Sequence, residues 1–209
     1  MRVRIAVLAL GIAALAAPPA WADPMHPSVD PEVYGPTAHQ SPSDDDEVQP
    51  VSTDAGAIAE DLRLKGHCDQ AVPMLRPLAA RGLGHEIAQY DLGLCLYDLA
   101  KTSSDAAQVK ALRTEGAAWV VRAANGGFAK AQETAVTIYL DGSGVDADPV
   151  EAKKWAILYH RNGMRLGIGL PDTPSALQQR VDAALDENKQ DEAEKRADAW
   201  SPPVASADE

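Results

Sequence analysis

From Thr53 onward the apolar positions recur three or four residues apart, with polar residues filling the opposite side, which is the periodicity of amphipathic helices. Ala71, Leu75, Leu78 and Ala79 make one stripe; Ala88, Leu92 and Gly93 belong to the next; Trp119, Ala123 and Ala124 to a third. The stretch from Ala131 to Tyr139 and the set Ala152, Trp155 and Tyr159 supply two more. Near the end, a helix beginning at Thr173-Pro174 carries Leu177, Val181, Ala184 and Leu185 on one face. After a polar break over 186–190, a last helix turns Ala193, Ala197 and Trp200 inward. No stretch alternates apolar and polar β-branched residues as a half-buried strand does. The predicted class is all-α.

The punctuation between the stripes is informative. Gly142 and Gly144 supply positive-φ freedom where the chain must reverse after Tyr139. Asp148 is placed to cap the following helix, Pro149 suits its first position, and Glu151 completes a reciprocal capping box. Pro73 and Pro77 fall inside an expected helix. A start near Val72 places Pro73 harmlessly in the first turn and leaves Pro77 to bend the helix.

The pattern repeats. Ala88 to Ala131 is 43 residues and Gly126 to Gly163 is 37. The difference lies between Tyr97 and Trp119, and the extra segment around 101–109 is expected as an insertion in an interhelical loop. Ala88, Leu92, Gly93 and Tyr97 in one unit, and Tyr139, Gly142, Gly144, Val145, Asp148, Ala152 and Trp155 in another, resemble the Sel-like repeat, a relative of the tetratricopeptide repeat. The resemblance covers roughly 55–165 and implies a short α-solenoid of antiparallel helix pairs, closed by C-terminal capping helices. It also implies a scaffold that binds a protein or peptide, with no catalysis of its own. The middle unit departs from the pattern, with Asp98 to Ser104 in place of Gly-x-Gly-Val, and the last unit runs through Asn162, Gly163 and Met164 without a new alanine-led helix.

The ends differ in character from the repeats. Arg2 and Arg4, an apolar run to Ala17 and Ala20-Trp21-Ala22 form a cleavable signal peptide over 1–22, cut after Ala22. The expected destination is periplasmic or secreted. Residues 23–51, rich in proline and aspartate, read as a disordered linker; 52–200 form the repeat domain; 201–209 are a loose tail. The formal charge of −12 excludes nucleic acid as a partner and disfavours an anionic lipid surface, while a basic partner would be steered in. No stretch is long and apolar enough to span a membrane, and a monomer is expected.

Cys68 and Cys95 are the only thiols. An oxidising destination makes a disulfide the expectation, and in an up-down-up array both positions fall at the same end. The alternatives are a metal site with His67 and His85, or a catalytic thiol. No Gly-x-Ser-x-Gly elbow, phosphate loop or His-Glu-x-x-His is present, and Ser143 lacks a partnered base, so no catalytic, cofactor or metal residues are assigned. The expected partner-binding face is the exposed surface around Gln89, Asp91, Gln132 and Glu133. A reading from another class is a hydrolase acting on cell-wall or β-lactam substrates. Some cysteine-rich exported proteins of the resembled family are described as β-lactam-binding, but they carry a cysteine pair in each repeat, where this chain has two cysteines in all.

Overall fold

The computed structural model describes residues 53–203, and the expected signal peptide, the linker and the tail beyond 203 lie outside the described residues. Nine helices follow in order among the described residues: α1 (Thr53–Leu64), α2 (Cys68–Ala79), α3 (Glu86–Thr102), α4 (Ala106–Asn125), α5 (Ala129–Asp141), α6 (Pro149–Arg161), α7 (Gly163–Gly167), α8 (Ser175–Ala183) and α9 (Glu187–Asp198). Each helix from α1 to α6 packs on the next, and α6 is then covered by α9, with α8 standing beside it. This is an all-α solenoid of antiparallel pairs with a C-terminal cap.

Small residues set the spacing. A Cβ on Gly93 of α3 would lie 2.6 Å from Val120 Cγ2 and 2.8 Å from the Gly116 carbonyl oxygen of α4, so the two backbones touch there. Gly144, at φ +86°, rests on the Arg113 carbonyl in the same way. The fully buried alanines at 117, 123, 124, 131, 135 and 152 let the next helices close around Trp155, which is itself fully buried and meets Trp200 edge-on at 6.5 Å. The Trp155 indole N–H finds no partner; Lys154 Nζ stands 4.1 Å from the ring centroid. A second core joins α1, α2 and α3 around Ala59, Leu75, Leu92 and Leu96. The Cys68–Cys95 disulfide crosses it and links α2 to α3 over a Cα–Cα distance of 5.0 Å.

Four local expectations are corrected. The segment between Tyr97 and Trp119 is not a loop insertion. It lengthens α3 to 17 residues and α4 to 20, against 13 each for α5 and α6, and leaves a short connection at Ser103–Asp105. Alanine-rich sequence continues the helix, and Asp105 caps it by accepting from the N–H groups of Ala107 and Gln108. Cys95 consequently sits midway along α3. The capping box at α6 is only half made: Asp148 accepts from Val150 N and Glu151 N, both at 3.0 Å. Asp148 N itself donates to the Tyr139 carbonyl at 2.9 Å, so Glu151 is released to pair with Lys154 and Arg196.

In α2 the helix starts at Cys68, which places both prolines inside it. They lie four residues apart on the exposed side, where the carbonyls deprived of a donor face water. The break before α9 is shorter than expected, at 184–186: Asp186 is the N-cap of α9, accepting from Lys189 N, and the polar residues after it are the first turn. The cap is fastened by ion pairs from Arg180 to Asp141 and from Lys153 to Asp182. Arg196 adds pairs to Asp148 and Glu151.

Replacing Gly93 with alanine is expected to lower stability by about 1–3 kcal/mol, because the methyl meets backbone that cannot yield. Gly56 in α1 has open space around its would-be Cβ, so Gly56→Ala is expected to raise stability by about 0.5–1 kcal/mol. Urea denaturation of the two variants checks the contrast. Reducing the disulfide, whose partners are 27 residues apart in sequence, is expected to shift the same transition down by about 3–4 kcal/mol.

Candidate interaction face

Three of the four residues expected on an exposed binding face are inside the protein. Gln89 is 2% exposed, Asp91 3% and Gln132 0%. Each is held there by a polar group from a neighbouring helix or turn. Gln89 Nε2 donates to the carbonyls of Ala79, at 3.2 Å, and Gly82, at 2.9 Å, which close the end of α2. Gln132 occupies the same place one repeat later, and its Nε2 donates to the Ala124 carbonyl at the end of α4, at 3.3 Å. Its Oε1 accepts from Asn162 Nδ2 at 2.8 Å. Each of these carbonyls also accepts a backbone N–H from the turn that follows it, Gly82 N on Ala79, His85 N on Gly82 and Gly127 N on Ala124, so the glutamines add a second bond and tie the turn to the next helix.

Asp91 is drawn inward by Arg63 of α1, whose Nε lies 2.6 Å from Oδ1 as an ion pair outside hydrogen-bond geometry. Burial dominates this carboxyl and pushes its pKa up to about 6; Arg63 pulls down against it and Glu60 adds to the rise. Glu133, the fourth residue, is half-buried beside the Tyr159 phenol, and desolvation raises its pKa as well.

The exposed surface lies immediately beside these ties. On α3, Ile87, Tyr90 and Leu94 share one stripe, with the buried Asp91 beside it, and Ile87 is 57% exposed. Forty-three residues on, α5 presents Lys130, Glu133, Thr134 and Thr137 at the matching places. The two stripes are joined where Tyr90 Oη meets Thr134 Oγ1 at 3.2 Å, and Tyr90 stacks edge-on against Phe128 at 5.3 Å. The result is a continuous ribbon across α3 and α5, apolar at one side and charged at the other, with buried glutamines bracing its base. A surface of this kind can hold a chain or a helix by side-chain contacts.

The candidate chemistry elsewhere is absorbed by the fold. Cys68 and Cys95 are bonded to each other, so neither serves as a thiol or a thiolate ligand. Among the described residues no group of three His, Cys, Asp or Glu side chains is arranged to hold a metal ion. Ser143 contributes its backbone carbonyl, which accepts from the Tyr97 hydroxyl at 2.6 Å. Burial pushes the Tyr97 phenol up to about 12, so it remains a proton donor throughout the working range.

Arg165 escaped the sequence pattern. It is 6% exposed, and its guanidinium donates to the carbonyls of Tyr159 at 3.0 Å, His160 at 2.9 Å and Leu170 at 3.2 Å. A basic residue just beyond a helix end is a known partner for terminal carbonyls. That was the available signal, but α7 is too short to show periodicity.

The geometry has a solved counterpart. A crystal structure of a protective antigen present in uropathogenic Escherichia coli strains, described as displaying an SLR fold, aligns with 69% of this chain at a TM-score of 0.55 and 24% identity. The chain has a Sel-like repeat fold. It spans 28% of the length of that antigen. No known family's sequence profile matches the chain, and no curated protein is significantly similar to it. Within this Sel-like repeat array the A-type helices are α3 and α5, and α4 and α6 are their B-type partners.

The raised Asp91 pKa fixes the sign of a pH effect. The folded state holds this proton more tightly than the unfolded chain, so the group favours folding most below the ordinary aspartate range, and that contribution is lost as pH rises through about 6. From about pH 4 to 7, wild type is expected to lose up to about 3 kcal/mol relative to Asp91→Asn. Glu133 acts in the same direction in both proteins and cancels in the difference. Urea midpoints measured across that range check it, and a wild type that gains on the variant with rising pH would show that Arg63 outweighs burial.

Proposed function

We propose that this chain is an exported scaffold that docks a protein or peptide on the α3–α5 ribbon and has no catalytic activity of its own. The observation that carries the reading is the ribbon itself: exposed Ile87 and half-buried Tyr90 stand beside Lys130 and Glu133, all on helices whose positions are set from beneath by buried ties. An exposed large aliphatic beside an aromatic, rimmed by charge, is the composition of an interface centre. The repeat fold supports the same role, since stacked helix pairs offer extended surfaces used for binding.

Export is supported by the disulfide, which persists in oxidising compartments, and by the signal-like N-terminal sequence. No helix among the described residues is long and apolar enough to cross a membrane. The charge of −12 favours a basic partner, whose approach is accelerated at low ionic strength.

Site-specific photo-crosslinking in cells of the source organism tests both parts. A photoreactive residue at position 87 or 130 is expected to give one discrete adduct, in the oxidising compartment, that Glu133→Lys weakens without shifting the melting temperature. The same residue at position 180, exposed on α8 outside the ribbon, is expected to give none. Equal labelling at all three positions, or none at 87 and 130, would overturn the docking role.

A further inference from the structure

The last described residues run back over the repeats. Beyond Trp200, which meets Trp155 edge-on, the chain reaches the turn between α4 and α5, where a Cβ placed on Gly127 would lie 3.9 Å from Pro202 Cβ. That turn leans on the one between α2 and α3. The Glu86 side chain covers Gly126, and an Arg122 guanidinium nitrogen stands 3.7 Å from the Cβ position of Gly82. The two turns form one continuous edge, and the chain passes Pro203 beside it with six residues, 204–209, still to place.

This edge is basic on an acidic protein. Arg81 is exposed, and its side chain makes no ion pair or hydrogen bond among the described residues. The half-buried Arg122 guanidinium lies over the Trp119 ring at 5.5 Å and has no carboxylate partner among the same residues. Glu86 is the only acid in either turn, and its Oε1 accepts from Gly84 N at 2.9 Å. Glu115, two turns earlier in α4, is engaged by Arg76 and the Trp119 indole. Between the two arginines Leu83 is 42% exposed.

We infer that residues 204–209 dock on this edge, with Val204 and Ala205 lying over the Gly127 turn and Asp208 and Glu209 pairing with Arg122 and Arg81. The reach suffices: five residues from Pro203 to Asp208 extend up to about 17 Å, and packed helices stand only about 8–10 Å apart. The order of residues also fits, since the segment is apolar where it leaves Pro203 and acidic at 208 and 209. The way back along α9 offers Lys195, but Asp191 and Asp198 flank it at helical spacing and repel a carboxylate. Lys130, also without an ion pair, faces Asp91 on the ribbon side. A segment tethered this closely acts at roughly millimolar effective concentration, so weak exposed ion pairs are enough to seat it. Docking neutralises both arginines and closes the edge beside Ile87 to other acidic chains. It does not depend on the partner proposed for the ribbon.

The test compares amide NMR spectra of the mature chain and of the same chain ending at Pro203. Shift differences are expected at Gly82, Leu83, Arg122 and Gly127, independent of protein concentration, and at least halved when salt rises from about 0.05 to 0.5 M. Asp208→Asn with Glu209→Gln leaves the folded body untouched and is expected to remove the differences at Gly82 and Leu83. Arg81→Glu, which has no side-chain partner to lose, is expected to do the same, and Lys195→Glu to leave them unchanged. Acetyl-Val-Ala-Ser-Ala-Asp-Glu added to the shortened chain is expected to restore the shifts, with half-saturation on the order of millimolar. Spectra identical at the two turns, differences confined to α9 or to Lys130, or differences that survive Arg81→Glu would each refute the docking. Differences that grow with protein concentration would refute it too, by placing the segment on a second copy.

Discussion

The structure depends on how closely α3 and α4 approach. At Gly93 and Gly116 there is no room for a single methyl, because the carbonyl of one helix occupies the space where the other's side chain would begin. That contact brings the two helix axes nearer than leucine packing allows. Once α3 and α4 are this close, the following loop can settle over them, with Gly144 on the Arg113 carbonyl and Ser143 reached by the Tyr97 hydroxyl. Each repeat is therefore located by the backbone of the one before it. Aromatic side chains fill what remains, which is how a chain with 5% aromatic residues still builds a closed core around Trp155.

The elements with long apolar periodicity were legible in the sequence, as were the glycine turn at Gly142, the Asp148 cap and the cysteine pair. Each of these depends on residues close together in the chain or on a strong type preference. The longer α3 and α4 were misread because the comparison with the next repeat suggested a loop, while the alanines and lysines of that segment favour helix in their own right. Gln89, Gln132 and Asp91 were misplaced for a different reason. A polar residue one step from an apolar stripe is ordinarily on the surface, and burial here depends on acceptors or cations from other helices that only the folded arrangement brings near.

Those buried polar groups follow one rule along the array. The carbonyls at the ends of α2, α4 and α6 each accept a bond from a long side chain of the segment that follows. Gln89 does this for α2 and Gln132 for α4, through a primary amide in both cases. At α6 the task passes to Arg165, whose planar guanidinium reaches the Tyr159 and His160 carbonyls together with that of Leu170. Asn162 joins the last two joints, since its amide donates to both the Gly127 carbonyl and Gln132 Oε1.

The change of residue at the third joint explains why the repeats stop there. A glutamine can close the preceding helix only if its own helix continues, because that helix supplies the packing that buries it. Counting the shorter repeat of 37 residues from Ala131 and Gln132 arrives at Ile168 and Gly169, which can neither start an alanine-led helix nor donate a side-chain bond. Arg165 makes all three of its bonds within six residues in sequence, so it needs no following helix. The freed chain turns back through α8, and α9 covers α6 with Ala193 and Ala197 inward and its charged residues outward. With no further repeat, α8 is held to α6 by Val181 in the core and by ion pairs from Arg180 and Asp182 near its C-terminal end, and a groove bordered by Ala156 and Val181 is left between the two helices.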